Sequence, residues 1–204
     1  MDMGGMTVEA NERKYIIHPS KFNLWLMIVS IILLFGALTS AYIVSKGIES
    51  DKSMWHYFSM PKVLWLNTAI LAVASVMLQV GLWGAKKGDF RRAKIGFSLT
   101  MVLGLIFLAG QIVAWGMLQE EGVVFGAGGS SSGNYLYVLT CVHGLHIVAG
   151  LIFLGFVYVR LMGNRYHPGN LIGIENAATF WHFLGLLWLY LFIFLLFNQG
   201  DPLV

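Results

Sequence analysis

The chain has 204 residues, of which 57% are hydrophobic and only 11% charged, with a formal net charge of +3 and a mean hydropathy of +0.72. That balance excludes a water-soluble globular domain and identifies an integral membrane protein. The small positive charge is distributed by topology and implies no nucleic-acid partner.

Residues 1–23 carry Arg13, Lys14 and Lys21 but no apolar stretch ending in a small-residue cleavage site, so no cleaved signal peptide is expected. Five apolar runs follow, at about 24–46, 63–85, 95–118, 135–159 and 177–197. Each matches the ~20 residues that cross a ~30 Å hydrocarbon core as helix, and none alternates as a barrel strand would. The expected fold class is all-α: one membrane domain over 1–204, a five-helix polytopic bundle.

Small residues four apart (Gly36 with Ser40, Gly110 with Ala114, Thr140 with Gly144) predict close helix approaches. Trp25, Trp65, Trp83 and Trp181 fall near span ends and read as interfacial anchors. The 119–134 loop opens with Glu120 and Glu121 and runs into GAGGSSSGN, a composition that favours a flexible, solvated linker, with partner docking as the alternative. Cys141, the single cysteine, reads as a small buried hydrophobe.

Lys and Arg count ten on the face holding the N-terminal segment and the 86–94 and 160–175 connections, against three on the other (Lys46, Lys52 and Lys62). The positive-inside rule then places the N-terminus in the cytoplasm and the C-terminus outside.

Every Asp and Glu lies in a terminus, a loop or a span end, which argues against an autonomous proton-coupled carrier. At depth remain Asn67, Gln79, Gln111, His143, His146 and His182. Such groups cost free energy in hydrocarbon unless bonded or turned towards protein. His143 and His146 lie three apart on one helix and face a common neighbour, while Glu175, Thr179 and His182 form an i, i+4, i+7 stripe expected to face the bundle. Counting rise from the span ends puts His146 and His182 within ~5 Å in height, within reach of a direct or water-bridged contact, with His143 nearer the outer leaflet. Three histidines without a mid-membrane carboxylate make a poor metal set, and an i, i+3 pair cannot bind both faces of one haem. Interhelical hydrogen bonding is the favoured reading, metal or haem the alternative.

The run NYLYVLTCVHGLHIVAGLIFLG at 134–155 resembles the sixth helix of subunit III of haem-copper terminal oxidases, marked by H-G-x-H-[VI]-x-x-G. ENAATFWHFLGLLWLYLFIF at 175–194 resembles that family's last helix, and the first and third spans match more loosely. The five spans are similar to helices III to VII of the seven-helix form, as in the short bacterial members. Where many members carry acids within the membrane, this chain has Ile31, Ala114 and Gly185, so proton handling by such acids does not transfer.

The resemblance implies an accessory subunit of a proton-pumping oxidase of the bacterial inner membrane that reduces O2 to water. Haem a and copper are expected in partner subunits, and no cofactor, metal or catalytic residue in this chain. Its implied partners are subunit I foremost, subunit II, a small subunit IV, phospholipids and a supercomplex with a quinol-oxidising complex. His143, His146, Glu175, His182, Gln111 and Trp181 would form the polar core and a lipid or subunit contact. A quinol oxidase, the subunit III-like protein of nitric oxide reductases, and a stand-alone transporter are the rival readings.

Overall fold

The computed structural model describes residues 19–50, 55, 57, 60–167 and 169–199. Of the N-terminal segment only 19–23 is therefore described, and Arg13, Lys14 and Lys52 lie outside the described residues.

Five helices account for nearly all of the described chain: α1 (Pro19–Ser50), α2 (Lys62–Lys86), α3 (Phe90–Glu120), α4 (Ser131–Met162) and α5 (Ile172–Gln199). All five are long and apolar enough to cross a membrane, and the described residues hold no strand beyond an isolated bridge between His167 and Asn170. The all-α, five-span architecture is as the hydropathy predicts. Each helix runs past its apolar span at both ends, because hydropathy marks only the hydrocarbon portion while the helix continues to its cap. Asp89 caps α3 by accepting from Arg92 N at 3.1 Å, and Ser130 caps α4 by accepting from Gly133 N at 3.2 Å.

The bundle is a ring of α2, α3, α4 and α5 in which each helix packs on the next and α5 closes back onto α2. Helix α1 lies outside the ring against α4 and α5. The large apolar side chains Leu33, Phe156 and Phe197 are 68%, 69% and 79% exposed, an outer surface that suits lipid and not water.

The tightest contact is between α2 and α3, joined by a short turn in which Gly88 has φ +78°. A methyl built on Gly96 would lie 2.7 Å from both Gly81 Cα and Met77 O, so the two backbones touch. Of the predicted small-residue pairs, Gly110 does lie against a neighbour, the Asn67 carboxamide, and Ala114 is fully buried. Gly36 and Gly144 instead face open space, with nothing within 4 Å of a built Cβ. Spacing alone marks a face of small residues; it does not say whether a helix lies against it.

Two further expectations change. Cys141 is exposed on the outer face of α4, since it falls one step round the helix from the inward-facing Thr140. The 119–134 loop is tied down: the Asn134 side chain accepts from Gly126 N at 2.8 Å and donates to Gly126 O at 3.1 Å. Tyr137 Oη adds a bond to Val123 O at 2.8 Å. Glycines at positive φ, Gly122 and Gly126, let the backbone make that turn, so composition here supplied conformability and not flexibility.

Candidate functional site: the polar core of the bundle

His143 sits on α4 at the centre of the bundle with 0% exposure. Its ring is enclosed by Phe35 of α1 at 6.4 Å, Phe107 of α3 at 6.2 Å and Trp188 of α5 at 5.3 Å between centroids. Gln111, on the same α3 face as Phe107, is also buried. Neither ring nitrogen of His143 and neither amide atom of Gln111 has a hydrogen-bond partner among the described residues. Both are thus held by apolar and aromatic packing, at the cost that unsatisfied buried polar atoms carry.

The other two histidines are not brought together. His146 Nδ1 donates to Val142 O on its own helix at 2.7 Å, and the ring packs on Phe35 of α1 at 5.6 Å. His182 Nε2 donates to Gln79 Oε1 of α2 at 3.0 Å. The two were matched in height, but each leaves its helix in a different direction. His146 turns to α1 and His182 to α2, so no direct contact forms between them.

Glu175 anchors the end of the bundle where α1 and α5 begin. Its carboxylate accepts from Lys21 Nζ of α1 at 3.2 Å and lies 3.3 Å from Lys86 Nζ of α2. The predicted stripe therefore runs along the seam towards α2, with Glu175 and His182 both bonded to it and Thr179 exposed between them. Trp181 is no interfacial anchor. It is 1% exposed, with its ring against Gly104 of α3 and Gly150 of α4, because one step along the helix from His182 carries it from the seam into the core.

Several interhelical bonds fall on residues that the sequence did not single out as hydrogen-bonding groups. Trp188 Nε1 of α5 donates to Thr68 Oγ1 of α2 at 3.0 Å, Trp115 Nε1 of α3 to Thr140 Oγ1 of α4 at 3.0 Å, and Tyr190 Oη of α5 to Thr39 Oγ1 of α1 at 3.1 Å. In all three the threonine hydroxyl donates at 2.8 Å to the carbonyl four residues back in its own helix, leaving its lone pairs for the neighbour. A threonine satisfied within its own helix gives no sign in the sequence of a second, crossing bond. At the other end of the bundle Lys46 Nζ donates to Asn198 O at 2.8 Å, tying α1 to α5.

The described residues contain no group of three or more His, Cys, Asp or Glu able to hold a metal ion. His143 is closed in by rings, and His146 and His182 diverge. Of the three positions that lack the expected acids, Ile31 and Ala114 are buried and Gly185 lines an open groove.

The sequence profile of the family described as cytochrome c oxidase subunit III matches residues 5–199. Cytochrome c oxidase subunit 3 of Corynebacterium diphtheriae is 30% identical over 172 residues, covering 82% of each chain. The protein of that name from Thermostichus vulcanus is 29% identical over 184 residues, covering 87% of this chain and 88% of its own. That of Gallus gallus is 32% identical over 128 residues, 63% of this chain and 47% of the longer animal protein. With five apolar helices in the order the motifs require and a match that spans nearly every residue, the chain belongs to the cytochrome c oxidase subunit III family.

Proposed function

We propose that the chain is the non-redox subunit III of an aa3-type cytochrome c oxidase that reduces O2 to water, with the haems and copper held by partner subunits and subunit I as its main contact. The observation that carries this reading is the HGLHIVAG and WHF histidines themselves. They bear the family's motif, yet one is sealed among aromatic rings and the other two diverge towards different helices, an arrangement that suits packing within the bundle and not joint ligation of a redox centre. Ten of the thirteen basic residues belong to the face that carries Lys21 and Lys86, and in the proposed topology that face is cytoplasmic.

Lipid retention is part of the same proposal. At the basic end a pocket of about 480 Å3 is lined by Arg160, Arg165, Tyr166, Asn170 and Asn176 above the apolar Phe153. Neither arginine has a carboxylate within salt-bridge distance among the described residues. Basic groups over an apolar wall suit an anionic phospholipid headgroup with its tail beside the helix. A lipid held there would cover the outer surface beside Phe153 and support sustained turnover.

Gentle purification through a tag on this chain, with an absorption spectrum and mass identification of the co-purifying chains, tests the proposal. Haem a and a copper-bearing partner are expected. A complex with b- and c-type haems and no copper would overturn it in favour of a nitric oxide reductase, and purification of the chain alone would overturn both.

A further inference from the structure

Along the seam between α2 and α5 the outer surface of the bundle is not simply apolar. A groove of about 410 Å3 is lined there by Thr68, Ala72, Ser75, His182, Gly185 and Leu186. Ser75 lies near the middle of α2 (Lys62–Lys86), about 16 to 20 Å from either helix end at 1.5 Å per residue. That depth is the centre of the hydrocarbon.

The missing side chain of Gly185 keeps the groove open, since a Cβ there would stand 3.2 Å from Ser75 Oγ. The groove also offers unused hydrogen-bonding capacity. Of the lining residues, His182 has its Nε2 taken up by Gln79 Oε1, which leaves His182 Nδ1 as an acceptor. Ser75 Oγ opens on the same space. The comparable groove between α1 and α4, about 240 Å3, differs in this respect. There Ser30 donates to Leu26 O at 3.0 Å and His146 Nδ1 to Val142 O at 2.7 Å, leaving one ring nitrogen.

Acyl tails cannot bond to a serine and an imidazole at the bilayer centre, and headgroups do not reach that depth. A transmembrane helix can do both jobs: it fills a groove of small residues and presents a polar side chain at its middle.

We infer that the α2/α5 seam is the docking surface for one transmembrane helix of another oxidase subunit, with a hydrogen-bonding side chain of that helix seated between Ser75 and His182. The inference rests on the oxidase reading above, which supplies a multi-subunit partner, and adds which face meets it.

Photo-crosslinking in native membranes tests it. A photoreactive phenylalanine analogue replaces Ala72 or Leu186 at the groove, or Ile112 or Val113 on the outer face of α3 for comparison, and adducts are identified by mass. Adducts from 72 and 186 to a haem-bearing oxidase subunit, with lipid adducts from 112 and 113, are the expected result. Adducts from the groove to lipid or to a second copy of this chain, in a complex that still co-purifies, overturn the surface while leaving the oxidase reading intact. Absence of any co-purifying oxidase subunit overturns both. Gly185→Leu, which fills the groove, is expected to lose most of the co-purifying subunit while the bundle's own thermal unfolding holds. Full retention of that subunit overturns the inference, and should this variant fail to fold, the crosslinks from 72 and 186 decide.

Discussion

Replacing Gly96 by alanine would force α2 and α3 apart. The new methyl would meet Gly81 Cα and Met77 O at 2.7 Å, both of them backbone atoms that no rotamer change can move. Ordinary carbon contacts lie at about 3.5–4.0 Å, so the helices must separate by roughly 1 Å, a gap that forfeits a quarter to a half of each affected dispersion contact. Overpacking of this kind costs about 1–3 kcal/mol, offset in part by the up to ~1 kcal/mol by which alanine favours helix over glycine. The net expectation is a loss of about 1–2 kcal/mol, or roughly 2–8 °C in Tm for a chain of this size. Gly36→Ala and Gly144→Ala meet nothing within 4 Å and are expected to leave Tm level or raise it slightly. Thermal unfolding in a mild detergent, followed by tryptophan fluorescence, compares the three. A Gly96→Ala variant as stable as Gly36→Ala would refute the close α2/α3 contact.

His143→Leu removes two ring nitrogens that have no partner and is expected to leave stability unchanged or raise it by up to about 1 kcal/mol; a clear fall in Tm would show that the ring bonds an ordered water. Thr68→Val deletes the acceptor of Trp188 Nε1 inside the bundle and is expected to cost about 1 kcal/mol, read as a lower Tm together with a changed tryptophan emission. Glu175→Gln breaks two partly exposed ion pairs worth at most about 1 kcal/mol each, so its effect on Tm should be small at low salt and vanish at high salt; a large, salt-independent loss would contradict this.

The count, type and order of the helices were legible in the sequence, because hydropathy over ~20 residues reports the one thing a bilayer demands of every span. So was the family, since HGLHIVAG and WHF are contiguous strings. The sequence also marked which polar residues fall within the spans. Rise along a helix is local and additive, so the height of His146 against His182 could be counted. Their directions could not, because the angle at which each helix presents its face is set by its neighbours, and α5 sits between α2 and α4 with α1 on its flank.

For the same reason Gly36 and Gly144 look like contact residues but face open space, Gly81 and Gly96 bring two helix backbones into contact without belonging to a predicted pair, and Trp181 leaves the interface for the core. The crossing threonine bonds were hidden because each hydroxyl is already satisfied at home. Sequence alone determined that this chain is a five-helix membrane protein of the oxidase subunit III family, since span length, charge bias and motif are one-dimensional properties. Only the tertiary structure decided which polar groups meet, which are sealed and which are left facing outward along α2 and α5, since those depend on helix rotation and on the partners that packing brings to each face.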